Sequence, residues 1–287
     1  MIKIAEGWKD YEIIATGDGK KLERWGKFIL LRPDPQVIWH SSFNLEDFKD
    51  LNAVYIRSQN GGGRWEYKGK EIDDFVIERK GLKFSLKLMG FKHTGLFPEQ
   101  AVNWDIFSEL IEKADRSIKV LNLFAYTGGA TLACLKAGAE VCHVDAAKAM
   151  VERAKKNIEL SGLSDRPVRF IIDDCLKFVN REIKRGKKYD AIIMDPPSYG
   201  RGPGGEIWKI ENNLFDLVEN AAKLLSDNPL FFLINSYTTG LQSSVLKNIL
   251  ELALKNRKGN VESYEVALPT DEKIILPCGA SGLWRSE

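Results

Sequence analysis

KVLNLFAYTGG (residues 119–129) is an apolar strand that runs straight into a glycine turn, and the same rhythm recurs downstream. EVCHVD (140–145), VRFIID (168–173), YDAIIMD (189–195) and LFFLIN (230–235) are short apolar runs of strand length. Helical stretches separate and follow them at Ala130–Ala137, Ala146–Leu160, Leu176–Arg185, Asn212–Leu225 and Leu241–Leu254. Five continuous apolar strands joined by helices predict a parallel sheet covered on both faces, a doubly wound α/β fold. VESYEVALP (261–269) and KIILP (273–277), about the turn TDEK (270–273), predict an antiparallel β-hairpin at the end of that sheet.

Upstream the composition differs. Residues 1–90 are rich in Trp, Gly and charge, and predict a small, mostly β domain, leaving 91–287 as the α/β domain. Phe28–Leu31, Ala53–Ile56, Phe75–Ile77 and Leu82–Leu88 are expected strands, with turns at Gly17-Asp18-Gly19 and Asn60-Gly61-Gly62-Gly63. KFSLKLM (83–89) alternates as a half-exposed strand does, and Ser42–Leu51 is an expected short helix. The length of 287 residues suits about two domains, and 44% hydrophobic content excludes disorder as the main state. No apolar run reaches the ~18 residues of a membrane helix. The N-terminus MIKIAEGWKDYEII has no signal-peptide core, so a cytoplasmic protein is expected. A formal charge of +2 excludes a polybasic protein but not a local basic patch. Cys134, Cys142, Cys175 and Cys278 form no CxxC pair, and there are only three histidines, so no metal site is expected.

Ligands of doubly wound sheets bind outside the carboxyl ends of the strands. The first strand ends in Ala125-Tyr126-Thr127-Gly128-Gly129, where two glycines allow close approach of a ligand to a helix start. The bland alternative is a plain turn. The loop lacks the full G-x-G-x-x-G spacing, which counts against a dehydrogenase. The second strand ends in Asp145, placed to accept both ribose hydroxyls of an adenosine ligand, or else to cap the next helix. The third ends in Asp173-Asp174-Cys175. There Asp174 is placed to accept an adenine amino group and the Cys175 amide to meet a ring nitrogen, a helix cap again being the alternative. The fourth ends in Asp195-Pro196-Pro197-Ser198-Tyr199-Gly200, the most specific of these signals. Two prolines stiffen the exit and hold the Asp195 carboxylate and the Pro196 carbonyl as acceptors. Such a pair suits an exocyclic amine facing a methyl donor.

Together these residues resemble the class I S-adenosylmethionine-dependent methyltransferases, whose architecture is a doubly wound sheet closed by a β-hairpin. More narrowly, the chain is similar to the ribosomal RNA large-subunit methyltransferase I/K-type family. Phe124–Gly129, Asp145, Asp173-Asp174 and Asp195-Pro196-Pro197 match its pattern, as does Phe91-Lys92-His93-Thr94-Gly95-Leu96-Phe97-Pro98-Glu99-Gln100. The likeness covers about residues 75–287, while LERWGKFILLRPDPQVIW (22–39) and LPCGASGLW (276–284) resemble a shorter subgroup. The resemblance implies S-adenosylmethionine as donor, held by Phe97, Glu99, Gln100, Phe124, Tyr126, Thr127, Gly128, Gly129, Asp145, Ala146, Asp173, Asp174, Cys175 and Asp195. It implies a catalytic Asp195-Pro196-Pro197 and an RNA substrate, expected to be ribosomal RNA, met by Tyr199, Arg201, Arg64 and Lys92.

Two departures shape the expectation. The RNA-binding PUA domain with which cytosine C5 enzymes of the family often begin is not recognisable in residues 1–90. Their cysteine nucleophile follows the fifth strand, where this chain has Asn235-Ser236-Tyr237. Methylation at nitrogen, which needs no covalent intermediate, fits better. Further RNA contacts are expected from Arg57, Lys68, Arg79, Lys80, Lys83 and Lys87 with Trp65 and Tyr67, and from Lys177, Arg181, Lys184, Arg185, Lys187 and Lys188. Each cluster also reads as a solvated surface. Gly200–Gly205 reads as a substrate loop. Two rivals stand beside this reading: a methyltransferase for a small molecule or protein, and a nucleotide-binding module without catalysis. The oligomeric state is not legible.

Overall fold

Apolar runs that are buried along their whole length belong in the middle of a sheet, and the computed structural model places them there. It describes residues 1–58, 62–90, 92–201 and 207–287. Asn60 and Gly61 of the expected turn, Phe91, the side chain of Arg201 and residues 202–206 of the expected substrate loop lie outside the described residues.

Up to residue 90 the chain forms β1 (Ile2–Ile4), β2 (Tyr11–Gly17), β3 (Lys20–Trp25), β4 (Phe28–Pro33), β5 (Leu51–Arg57), β6 (Gly63–Tyr67), β7 (Phe75–Arg79) and β8 (Leu82–Leu86). Then come α1 (Ala101–Lys113), β9 (Lys119–Leu123), α2 (Gly129–Lys136), β10 (Glu140–Asp145), α3 (Lys148–Leu160), β11 (Val168–Ile172) and α4 (Cys175–Lys184). The rest is β12 (Ala191–Met194), β13 (Tyr199–Arg201), β14 (Ile207–Lys209), α5 (Ile210–Ala222), β15 (Phe231–Ser236), α6 (Ser243–Ala253), β16 (Gly259–Pro269) and β17 (Ile275–Ser286).

The chain divides into two compact units. One comprises Met1–Lys3, Val102–Val266 and Gly279–Glu287, the other Ile4–Ala101 and Ala267–Cys278. The first holds the main sheet, ordered β1-β16-β17-β15-β12-β9-β10-β11. β10/β11, β9/β10, β9/β12 and β12/β15 pair in parallel, and β15/β17 antiparallel. Every residue of β12 and β15 is buried, as expected of inner strands with covered faces. From β9 the chain winds out through β10 and β11, then returns to β12 on the other side of β9. That reversal opens a crevice at the carboxyl ends of the parallel strands.

In the second unit β2–β6 form a five-stranded sheet in sequence order, and β7 pairs with β8. Ala15, Leu22, Leu31, Leu45 and Val54 belong to its core, and the Tyr11 and Trp25 rings meet edge to face at 4.5 Å. The tip of the terminal hairpin belongs here. The Asp271 amide donates to the Ile13 carbonyl at 3.0 Å, and Glu272 accepts from the Thr16 amide at 2.8 Å. The units therefore divide at Ala101/Val102, where the sequence suggested 90/91, and residues 267–278 group with the N-terminal strands.

Two local expectations need correction, and one α-helix was missed. Residues 42–51 form no α-helix, only a 3-10 turn at Leu45–Asp47. Asn44 caps it through the Glu46 amide, Phe48 returns to extended backbone, and Leu51 pairs in parallel with Ile29. KFSLKLM is not simply half-exposed, because Phe84, Ser85 and Leu86 are all buried. The sequence reading also missed α1, although AVNWDIFSELIEK carries apolar residues at 102, 106 and 110 and at 104, 107 and 111, a helical spacing.

Candidate active site

The register of the sheet assembles the site. Ile171, Val144, Leu123, Met194 and Ile234 lie in one lateral row across β11, β10, β9, β12 and β15. The next residue of each chain is therefore Ile172, Asp145, Phe124, Asp195 and Asn235, strung along the carboxyl edge at the ~4.8 Å spacing of neighbouring strands. Residues distant in sequence become neighbours because parallel strands share an edge.

The loop after β9 is forced into unusual backbone. Phe124 and Tyr126 take φ of 55° and 50°, and Gly128 takes 87°. A Cβ on Gly129 would lie 2.5 Å from Cζ2 of Trp104, so the loop closes onto α1 only without a side chain there. Gly128 is the N-cap of α2 and offers no side chain to it. The first amides of α2 thus face outward from a tight turn, suited to a polar ligand. The Phe124 amide donates to Sγ of Cys175 at 3.3 Å, which ties this loop to the start of α4.

Asp145 takes one amide on each oxygen, from Tyr126 at 2.8 Å and from Ala147 at 2.8 Å. These bonds fix the plane of the carboxylate and leave a further lone pair on each oxygen, as two vicinal hydroxyls require. Burial raises its pKa, against the pull of the two amides. Ala146 and Ile172 are exposed on the same edge. Asp173 accepts from the Asp174 amide at 2.9 Å and pairs with Arg181, while Asp174 caps α4 by accepting from the Lys177 amide at 2.9 Å. The capping role weighed for this pair thus exists at Asp174.

Asp195 accepts through Oδ1 from the side-chain amide of Asn235 at 2.9 Å. Beyond it Pro196 is buried and Pro197 exposed. The Pro197 carbonyl accepts from Nε1 of Trp208 at 2.6 Å, and Ser198 shares a 2.6 Å hydrogen bond with Thr238. Trp208 in turn leans on Phe124, ring centroids 5.7 Å apart. The Asp-Pro-Pro exit is thus pinned by β14, by the segment after β15 and by the β9 loop. Tyr199 is exposed beside it. Trp208 and Thr238 escaped the sequence reading, and Asn235 was noted there only as standing where the family has its nucleophile, not as a partner of Asp195. A polar residue ending the apolar run LFFLIN was the available signal for Asn235.

Other expected contacts fare differently. Arg79 is buried and donates to the Glu6 carbonyl at 2.9 Å, so it is not a surface contact, whereas Trp65 is half-buried and donates to the Met89 carbonyl at 2.8 Å. Arg64 is exposed and paired with Glu66 at 2.7 Å. Lys92 is half-buried, its pKa lowered first by burial. Phe97, Glu99 and Gln100 lie in the N-terminal unit, where Pro98–Gln100 form a 3-10 turn. Cys134, Cys142 and Cys175 are buried, and burial raises all three thiols. Cys278, raised by burial and then by Glu99, belongs to the N-terminal unit. Among the described residues no cluster of His, Cys, Asp and Glu could hold a metal ion, and no helix is long and apolar enough to cross a membrane.

The strand order, the antiparallel last strands and an acid-bearing edge at the switch point define a class I methyltransferase fold. The family model for S-adenosylmethionine-dependent methyltransferases matches residues 22–225, and the chain belongs to that family. Its methyl donor is accordingly S-adenosylmethionine. A crystal structure of the S-adenosylmethionine-dependent methyltransferase from Agrobacterium tumefaciens superposes with a TM-score of 0.94 at 32% identity, covering 100% of this chain and 94% of that one. Ribosomal RNA large subunit methyltransferase K of Neisseria meningitidis is 29% identical over 82% of this chain. Methyltransferase K/L of Shewanella frigidimarina is 31% identical over 59%. The matches span 66% and 23% of those two relatives.

Proposed function

We propose that the protein methylates a base of ribosomal RNA, at nitrogen rather than at cytosine C5, as a cytoplasmic enzyme. The observation that carries this reading is the edge row itself, with Asp145 and Asp195 on either side of the Phe124 loop. The residues present fit the donor. Asp145 offers two oriented oxygens to its ribose, the Gly128-Gly129 turn admits its amino-acid end, and α4 opens with the Cys175 amide toward its adenine. When bound, the donor supplies an activated sulfonium methyl. Asp195 and the Pro196 carbonyl then orient the attacking amine and accept its N–H bonds, while Trp208 keeps the proline exit from moving. Most of the rate enhancement comes from this positioning. Tyr199 and Arg201 of the same exit, with Arg64 and Lys92 of the N-terminal unit, are the proposed RNA contacts.

Nitrogen is favoured because Asn235-Ser236-Tyr237 stands where a C5 enzyme of this kind carries its thiol, and the cysteines of the methyltransferase unit are buried and protonated. RNA containing 5-fluorocytosine should form no covalent adduct with the enzyme; an adduct lost in any one Cys→Ser variant restores the C5 reading. The rival acceptor, a small molecule or protein, draws on the engagement of Arg79 within the fold. Mass spectrometry of modified nucleosides in ribosomal RNA with and without the gene decides between them. A methylated base present only with the gene is expected, and identical nucleoside profiles reject ribosomal RNA as the substrate.

A further inference from the structure

Behind the edge row lies a buried chain of side-chain hydrogen bonds that ends on Asp195. The Tyr264 hydroxyl donates to Oδ1 of Asn103 at 2.7 Å. Nδ2 of Asn103 donates to Oγ of Ser281 at 3.1 Å, and Ser281 donates to Oδ1 of Asn235 at 2.9 Å. Nδ2 of Asn235 donates to Asp195 at 2.9 Å. Four polar side chains on β16, α1, β17 and β15 are thus joined, each at most 1% exposed. The strand register accounts for the middle of the chain, since Asn235 and Ser281 are direct partners across β15 and β17.

The four links from Tyr264 to Asp195 run in one direction, and the Ser281 hydroxyl also meets that of Tyr264. Each amide receives on its oxygen and donates from its nitrogen, so the dipoles add toward the carboxylate. Four buried polar groups in the core of a sheet are costly compared with apolar residues unless all are satisfied, and here they are satisfied by one another. Packing alone does not call for them. At its far end the chain sets an N–H donor against Oδ1 of Asp195.

We propose that Asn235 is a positioning residue for Asp195, and that Ser281, Asn103 and Tyr264 form a buried relay that holds Asn235 in its donating orientation. Acting through Asp195, the relay aligns the acceptor amine. This rests on the acceptor-orienting reading of Asp195, and the test separates the two.

The variants are Asn235→Ala, the near-isosteric Asn235→Asp, which replaces the donor by a carboxylate, and Tyr264→Phe, which removes one hydroxyl with little change of packing. Two readouts are taken. The first is the crystal structure of each variant. The Asp195 carboxylate should turn away from its wild-type orientation in both Asn235 variants, while the Phe124–Gly129 loop stays in place. The second is methyl transfer from labelled S-adenosylmethionine to ribosomal RNA from cells lacking the gene, alongside calorimetry with S-adenosylhomocysteine. Both Asn235 variants should lose roughly 10- to 100-fold in kcat, the scale of a small misplacement of a reacting group, with product affinity within a factor of two. Tyr264→Phe should lose less, in the same direction. An Asp195 carboxylate that keeps its orientation in Asn235→Ala and Asn235→Asp overturns the relay, as does unchanged kcat in an active enzyme. If the wild type transfers nothing to this RNA, the RNA reading fails by itself and the crystallographic readout alone decides the relay.

Discussion

At the residue scale the proposed chemistry rests on two carboxylates with different surroundings. Asp145 is held by two backbone amides, Asp195 by a side-chain amide. Backbone donors cannot be mutated away, so Asp145 keeps its geometry under most substitutions nearby, whereas the amide that Asn235 gives Asp195 can be removed by substitution. Asp145→Ala should weaken S-adenosylhomocysteine binding by about 1.5–3 kcal/mol, the scale for hydrogen bonds to a charged group, as read by calorimetry. Asp195→Ala should abolish turnover while leaving that affinity nearly intact. Near-normal turnover in this variant removes the acceptor-orienting role from the motif.

At the element scale the glycine loop and α1 are built for each other. Trp104 is buried and its ring covers Gly129 so closely that an added methyl has no room. Gly129→Ala should destabilise the protein by about 1–3 kcal/mol, the usual cost of overpacking, and should weaken the donor because the turn must back away from α1. Thermal denaturation and calorimetry on the same variant check both. Trp104→Leu in the same chain should recover part of the stability by making room. If Gly129→Ala is as stable as the wild type, the contact does not govern the loop.

At the scale of the whole molecule the two units carry different acid-sensitive groups. In the N-terminal unit Glu23 is fully buried; burial opposes its charge, but Arg32 and Lys21 hold its carboxyl down at about 2. Arg32 meets it through two hydrogen bonds, at 2.6 and 2.8 Å. A folded value below the ordinary 4.5 means that the unfolded chain takes up the proton more readily. The stabilisation is present above about pH 4.5 and drains away toward pH 2, on the order of 3 kcal/mol in all. In the methyltransferase unit burial lowers His143 to about 3, with Nδ1 at 2.9 Å from Thr131. It is neutral in the fold and charges on unfolding, so its stabilisation is complete above about pH 6.5 and is lost as the pH falls toward 3. Urea denaturation at a series of pH values should show a shallower decline below pH 6.5 in His143→Asn and below pH 4.5 in Glu23→Gln. Slopes identical to wild type exclude these groups as the acid-sensitive ones.

Five apolar runs, the glycine turn and the acids at the strand ends were legible along the chain because each is a local feature: a periodicity, a turn former, a residue type next to a boundary. They sufficed for the doubly wound sheet and for the positions of Asp145 and Asp195. The helix at 101–113 was equally local and was overlooked, as were β2, β3 and β6, of which β3 and β6 lie in charged sequence. Other features had no local signature at all. That Trp104 fills the space over Gly129, that Arg79 turns inward, and that Tyr264, Asn103, Ser281 and Asn235 meet in one line follow from which strands become neighbours. The sequence by itself determined the elements and the residues at their ends, because backbone propensity and hydrophobic period act over a few residues. Only the tertiary structure decided which of those residues touch, because hydrogen-bond partners such as Asn103 and Ser281, 178 positions apart, are brought together by the packing of the elements and by nothing nearer in the chain.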